Sequence, residues 1–207
     1  MKNQTSRLNL SRHFRHTRIL CWKGMIIVGV EIKGLESLRR KVKAIPQILD
    51  DAMWDATFEI TELIKQAAEL RLSSSMKYSS GELLGSLKNE VVINAQNQIV
   101  GRVWSDKQQA MFREFGTGPV GEASQKDLPE GFTPVYSQTA WFIPAKDVAV
   151  DLEAIYGIPR VTVQGTDFYI TKGQPARPFL YPSLVDLIGE APEIYKEHVQ
   201  RKLRELK

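Results

Sequence analysis

Leu49, Met53, Ala56, Ile60, Leu63, Ala67 and Leu70 step by 4, 3, 4, 3, 4 and 3. No other stretch constrains the fold as strongly, because that spacing keeps a narrow apolar seam along one side of a helix. Asp51, Asp55, Glu59, Glu62 and Glu69 fill the rest of the helix, against Lys65 and Arg71. Two readings stand. The acidic residues form a solvated face of a helix packed over a sheet, or the seam takes a partner helix, since sustained 3.5-residue spacing marks coiled coils. In both, the acidic face repels DNA.

The flanking patterns make the chain α+β. Residues 26–33 alternate, with Val28, Val30 and Ile32 on one face and Glu31 and Lys33 on the other, which predicts a half-buried strand. Leu35, Leu38, Val42 and Ile45 predict a helix that Pro46 interrupts. Ser73 to Gly81 reads as a turn, and Glu82 to Leu87 as a short helix or extended lead-in. Glu90–Asn94 and Ile99–Trp104 predict a hairpin around Ala95-Gln96-Asn97-Gln98. Gln108 to Phe115 is a short amphipathic stretch ending at Gly116. Residues 119–172 are too long for a structureless loop and hold a second hairpin, Arg160–Gln164 with Asp167–Thr171. A C-terminal helix begins near Pro182 and kinks before Pro192. The expected architecture is an antiparallel sheet packed against one long helix, with a C-terminal helix and a long insertion.

Composition narrows the function. The chain has 207 residues, 43% hydrophobic and 25% charged, which are ordinary globular values. Cys21 stands alone, so an internal disulfide and a multi-cysteine metal cage are excluded. The longest apolar run, Met25 to Val30, is far short of the roughly 20 residues a membrane-spanning helix needs. The net charge of +4 is local: residues 1–24 hold six cations and no acid, leaving 22 basic against 24 acidic residues beyond them, a net of −2. We read residues 1–24 as a basic leader, disordered or foreign to the natural protein because Met25 makes a natural start. An organellar transit segment and a phosphate-neutralising arm are the other two readings. Residues 25–207 read as one domain with an insertion at 119–172. His13, His16 and Cys21 in the leader make a poor metal site.

Motifs for chemistry are sparse. Gly116-Thr117-Gly118-Pro119-Val120-Gly121 matches the dinucleotide pattern G-x-G-x-x-G by letter, but lacks the preceding strand and the following apolar helix, and reads as a glycine hinge. His198, the one histidine beyond the leader, sits on a charged helix with no orienting partner in view. Asp50/Asp51 and Glu59/Glu62 lie on the solvated side of the seam helix, and Ser73-Ser74-Ser75 has no nucleophile-elbow setting. Catalytic, cofactor and metal residues are therefore expected to be absent. Arg39, Arg40, Lys41 and Lys43 form the one basic cluster of the body, either a solvated face or a contact with phosphate or an acidic partner.

Several stretches occur in a specific order: Val30-Glu31-Ile32-Lys33-Gly34-Leu35, a long helix, Ser80-Gly81-Glu82-Leu83-Leu84-Gly85-Ser86-Leu87, then Phe112-Arg113-Glu114-Phe115-Gly116-Thr117-Gly118, then Gly173-Gln174-Pro175-Ala176-Arg177-Pro178-Phe179-Leu180-Tyr181-Pro182-Ser183-Leu184 and a terminal helix. Over residues 26–207 this resembles the tail-component family of long-tailed bacteriophages typified by the tenth gene product of phage Hong Kong 97. Ser79-Ser80-Gly81 departs from that family's usual Asp-Thr-Gly, and the gap between the two later motifs is longer than is common. The resemblance implies a non-enzymatic virion protein of the neck or upper tail, made in the host cytoplasm, joining head to tail or completing the tail. It implies a homo-oligomeric ring, sixfold or twelvefold, that meets adjacent head-completion or tail proteins and, at the neck, packaged DNA.

The residues themselves fit a contact surface. Glu114, Phe115, Gly116, Thr117, Gly118, Gln174, Pro175, Arg177, Pro178, Phe179 and Tyr181 are the candidate subunit or partner interface. Glycines permit unusual backbone, prolines stiffen an extended segment, and Phe179, Tyr181 and Arg177 suit a heterologous contact. The competing reading is an internal corner, with Phe179 in the core and Arg177 paired locally. Two other function classes remain: a nucleic-acid-binding protein acting through residues 1–24 and Arg39–Lys43, and an enzyme using the insertion as a lid.

Overall fold

The computed structural model describes residues 17–22, 25–30, 33–74 and 80–206, and the chain divides into two units near residue 47. In the first unit, β1 (Thr17–Trp22) pairs antiparallel with β2 (Met25–Val30), in register from Thr17↔Val30 to Trp22↔Met25. Part of the leader is thus structured, against the expectation of a disordered arm. Counting charge hid the apolar run Ile19-Leu20-Cys21-Trp22, which supplies the ladder that a lone strand at 25–30 would lack. Residues 1–16, including His13 and His16, and residues 31–32 of the expected strand lie outside the described residues.

Helix α1 spans Leu35–Ser74 and contains Pro46, so the expected break there is absent. Proline removes one N–H donor and crowds the turn before it; the turns on either side remain helical. Arg39, Arg40, Lys41 and Lys43 are all exposed near its start, Arg39 pairing with Glu36 at 3.0 Å.

In the second unit, α1 buries Ala52, Ala56, Thr57, Thr61, Ile64, Ala68 and Leu72. This is not the predicted seam: of Leu49, Met53, Ala56, Ile60, Leu63, Ala67 and Leu70 only Ala56 is buried, while Met53 is 38% and Leu70 71% exposed. The reason is close approach. The hairpin β3 (Leu87–Ile93) and β4 (Ile99–Ser105) lies under the helix with Gly101 at the contact. A side chain on Gly101 would collide with the Thr61 methyl and stand 2.9 Å from that of Thr57. Small residues, rather than large apolar ones, set this interface. Asn89 Nδ2 also donates to Thr61 Oγ1 at 3.3 Å.

The C-terminal part is two helices, α5 (Leu180–Ile188) and α6 (Ala191–Arg204), rather than one kinked helix. Gly189 intervenes, and Pro192 stands in the first turn of α6, where its missing donor does least harm. Helix α6 covers part of the acidic side of α1, which is therefore not simply solvated. Thr57 Oγ1 lies 2.8 Å from Tyr195 Oη, Lys202 Nζ 2.9 Å from Asp55, and His198 Nε2 2.7 Å from Glu59. His198 is 5% exposed, a correction to its expected place on an open helix. Its Nδ1 sits 2.8 Å from an Arg201 nitrogen, which can only donate. The ring is thus fixed as the tautomer that accepts at Nδ1 and donates from Nε2 to Glu59.

The core joins Ala68 and Leu72 of α1 to Leu87, Ala110 and Phe179, with Leu83, Leu84 and Leu180 around them. Residues 84–86 form a 3-10 turn leading into β3. Residues 75–79 of the expected Ser-rich turn lie outside the described residues, and Ser73 and Ser74 end α1.

The insertion begins with α3 (Gly118–Ala123) and contains a three-stranded antiparallel sheet. Its order is β5 (Trp141–Pro144), β7 (Thr166–Thr171), β6 (Arg160–Val163), with α4 (Leu152–Tyr156) between β5 and β6. The hairpin turns at Gln164 (φ 49°) and Gly165 (φ 80°), a type I′ turn. Asp151 caps α4 by accepting from Glu153 N at 2.9 Å and Ala154 N at 3.2 Å. These backbone donors, led by Ala154, hold its carboxyl below the usual aspartate range, as Thr162 and then Arg160 hold Asp167. A depressed folded-state value means stabilisation that is present above the unfolded value and lost as pH falls through the folded one. Amide protection in β6 and β7 is therefore expected to fall as pH drops below about 4, before that of α1; equal protection at pH 3 and pH 6 would contradict this.

Candidate functional site

The two motifs that carry the resemblance meet at a corner built on α2 (Gln108–Phe115). Ala110 and Glu114, one turn apart, both face inward and are buried. Glu114 Oε2 accepts from Phe179 N at 2.8 Å and Leu180 N at 2.9 Å, and Oε1 from Tyr181 N at 2.8 Å. A helix leaves its first four N–H groups without intrahelical partners. Here one carboxylate takes three, and the fourth residue, Pro182, has no N–H to satisfy. The negative charge also sits at the positive end of the α5 dipole. Phe179, held at this cap, is completely buried.

Beyond α2 the chain and the proline strip run side by side. Thr117 N donates to Gln174 O at 3.0 Å, and Gln174 N to Thr117 Oγ1 at 3.1 Å. Gln174 Nε2 donates to Phe112 O at 2.9 Å, and Arg177 N to Arg113 O at 2.8 Å. At Gly173, with φ 108°, an added Cβ would overlap the Thr117 carbonyl. Gly116 meets Gly121 and the Ala176 backbone, and Gly118 meets Lys172.

This geometry divides the candidate interface. Glu114, Gly116, Gly118 and Phe179 are buried within the chain and build the corner, as the internal-corner reading expects of Phe179, because satisfying the α5 donors and close backbone packing both require burial. Phe115, Thr117, Arg177, Pro178 and Tyr181 are half-buried, and Gln174 and Pro175 exposed. The six-residue α3 begins inside the glycine pattern, at Gly118, and α2 precedes the pattern where a dinucleotide site needs a strand.

Three concave surfaces flank the corner. A groove of about 620 Å³ runs past Trp104, Met111, Tyr181 and Leu184. A broader one of about 920 Å³ is lined by Phe112, Phe132, Val135 and Trp141. The third, about 460 Å³, is walled by Arg113, Arg177, Trp141, Leu152 and Tyr156. Burial, and then the positive charge of Arg177, push Arg113 below its ordinary value. Arg113, Trp141 and Tyr156 were not among the sequence candidates. Arg113 lies beside Glu114 in the motif, yet only the α2 geometry sends one inward and the other to the cleft.

Among the described residues, no group of three or more His, Cys, Asp or Glu is disposed to hold a metal, and no helix is long and apolar enough to cross a membrane. Comparison with protein-family models, with curated proteins and with solved structures yields no match.

Proposed function

We propose that this chain is a non-enzymatic structural protein of a bacteriophage neck or upper tail, of the tail-component family it resembles, assembling as a closed ring. One observation carries the reading. The two motifs, far apart in sequence, are locked together by Glu114 and Gln174 into a corner flanked by apolar concavities. A rigid edge of this kind loses little conformational freedom when a neighbour docks. Large apolar side chains stand exposed beside it: Met111 at 59%, Phe112 at 38% and Val135 at 99%. Exposed apolar surface at this density suits a protein–protein contact. Head-completion or tail proteins are the adjoining partners, and the virion is the place of action.

Sedimentation and native mass spectrometry test the reading. The expected species is a closed hexamer or dodecamer, alone or on a partner ring. A chain that stays monomeric at high concentration, and also fails to join purified heads or tails, sinks it. A second reading, nucleic-acid binding, has the exposure of Arg39, Arg40, Lys41 and Lys43 in its favour. Binding of that kind weakens steeply with salt, so a monomer with salt-sensitive affinity for duplex DNA would replace the first reading with the second.

A further inference from the structure

Along α1, Asp50, Trp54, Phe58 and Glu62 follow one another at every fourth position, which stacks them in a single row on the helix surface. Trp54 is 39% and Phe58 50% exposed. Helix α6 engages α1 through Asp55, Thr57 and Glu59 instead. The Asp50 and Glu62 carboxylates make no ion pair or side-chain hydrogen bond with any described residue, and Lys65, close beyond Glu62, pairs with Glu69 at 3.6 Å. A row with an acid at each end and two open aromatic rings between has a definite complement. It is an apolar pair one turn apart with cations beside it, since a cation is drawn both to carboxylates and to the face of an aromatic ring.

The chain carries that complement in the first turns of α1. Leu38 and Val42, one turn apart, are 57% and 55% exposed, and Arg39 and Lys43 form the adjoining row. Arg40, Lys41 and Lys43 make no ion pair with any described residue. Arg39 pairs with Glu36 alone, and both are exposed, a surface pairing of the kind that contributes little. A DNA backbone would take the cations and leave Leu38 and Val42 in water, whereas the acidic aromatic row covers both kinds of residue. A helix cannot fold back along its own length, so two stretches of α1 meet only between copies. We propose that the start of α1 in one copy, through Leu38, Val42, Arg39 and Lys43, seats on the Asp50–Trp54–Phe58–Glu62 row of the next. The proposal rests on the assembly reading and supplies its heterologous joint, in which a patch meets a different patch and repetition closes a ring.

Charge exchange in the full chain tests it, each variant first checked for an unchanged melting temperature. Arg39→Glu with Lys43→Glu reverses the start of α1, and Asp50→Lys with Glu62→Lys reverses the row. Each pair of changes alone is expected to leave a monomer where the wild type assembles. Mixing the two chains, or joining all four changes in one, is expected to restore assembly, because every contact is again between opposite charges. Phe58→Ser alters no charge and serves where a reversal unfolds the chain; it is expected to weaken assembly about tenfold or more. Reversed or Phe58→Ser chains that assemble like the wild type, or exchanged chains that do not recover, overturn the contact and leave the ring standing. If the wild type itself is monomeric the ring reading fails, and cross-linking decides the contact separately. Leu38→Cys and Phe58→Cys chains, each with Cys21→Ser, are mixed in a thiol–disulfide buffer. The disulfide between the two variants is expected to exceed its chance share, and a chance share overturns the contact. So does a reversed start that abolishes binding to a DNA duplex, or to vesicles of phosphatidylcholine and phosphatidylserine, while assembly persists.

Discussion

Glu114→Ala is expected to destabilise the chain by about 3–5 kcal/mol, because it strands three inward-facing donors and removes the charge at the start of α5. Against a typical total of about 5–15 kcal/mol, that is enough to leave a substantial unfolded fraction. The three bonds run at 2.8–2.9 Å to Phe179, Leu180 and Tyr181, and Phe179 anchors the core. Glu114→Gln keeps one acceptor oxygen but turns an amide NH2 toward an N–H donor, so about 2 kcal/mol is expected. Urea denaturation checks both through the midpoint at unchanged slope. A loss below about 1 kcal/mol for the alanine variant would mean that water caps α5 as well as the carboxylate does.

The second large effect is at Gly173. Gly173→Ala demands a backbone angle that L-residues avoid and places a methyl group on the Thr117 carbonyl, so strain and overpacking add to about 3–5 kcal/mol. Gly157 provides the control. Its φ of 70° is also left-handed, but nothing lies within 4 Å of an added Cβ, and Gly157→Ala is expected to lose only about 1–2 kcal/mol. Equal losses at the two positions in thermal unfolding would show that backbone conformation alone matters and that crowding at the corner does not.

The elements that local pattern controls were legible in advance. The β3–β4 hairpin, the β6–β7 hairpin and the helical character of 49–70 follow from alternation and turn residues, and the structure has them. The buried side of α1 was not. Spacing of large apolar residues pointed at Met53 and Leu70, whereas the real contact is decided by Gly101 on a strand about forty residues later in the chain. Proline was overread at Pro46, which α1 carries in its interior, whereas near Pro192 the chain breaks fully between α5 and α6 at Gly189 and Pro192 falls in the first turn of α6. The α1–α6 pairs Asp55–Lys202 and Glu59–His198 join residues more than a hundred positions apart, and no local rule connects them. At the candidate site, the two motifs were paired through the family resemblance, and their residue types did not say which members point inward. That depends on α5 starting where Glu114 can reach it.

The insertion leaves and rejoins the frame at one place: Thr117 and Gln174, at its two ends, are hydrogen-bonded neighbours. An excursion whose entry and exit touch behaves as a cassette, since its length can change without pulling the flanking segments apart. Evolution can thus trade its contents, with the surface it displays, while the hinge beneath stays as it is.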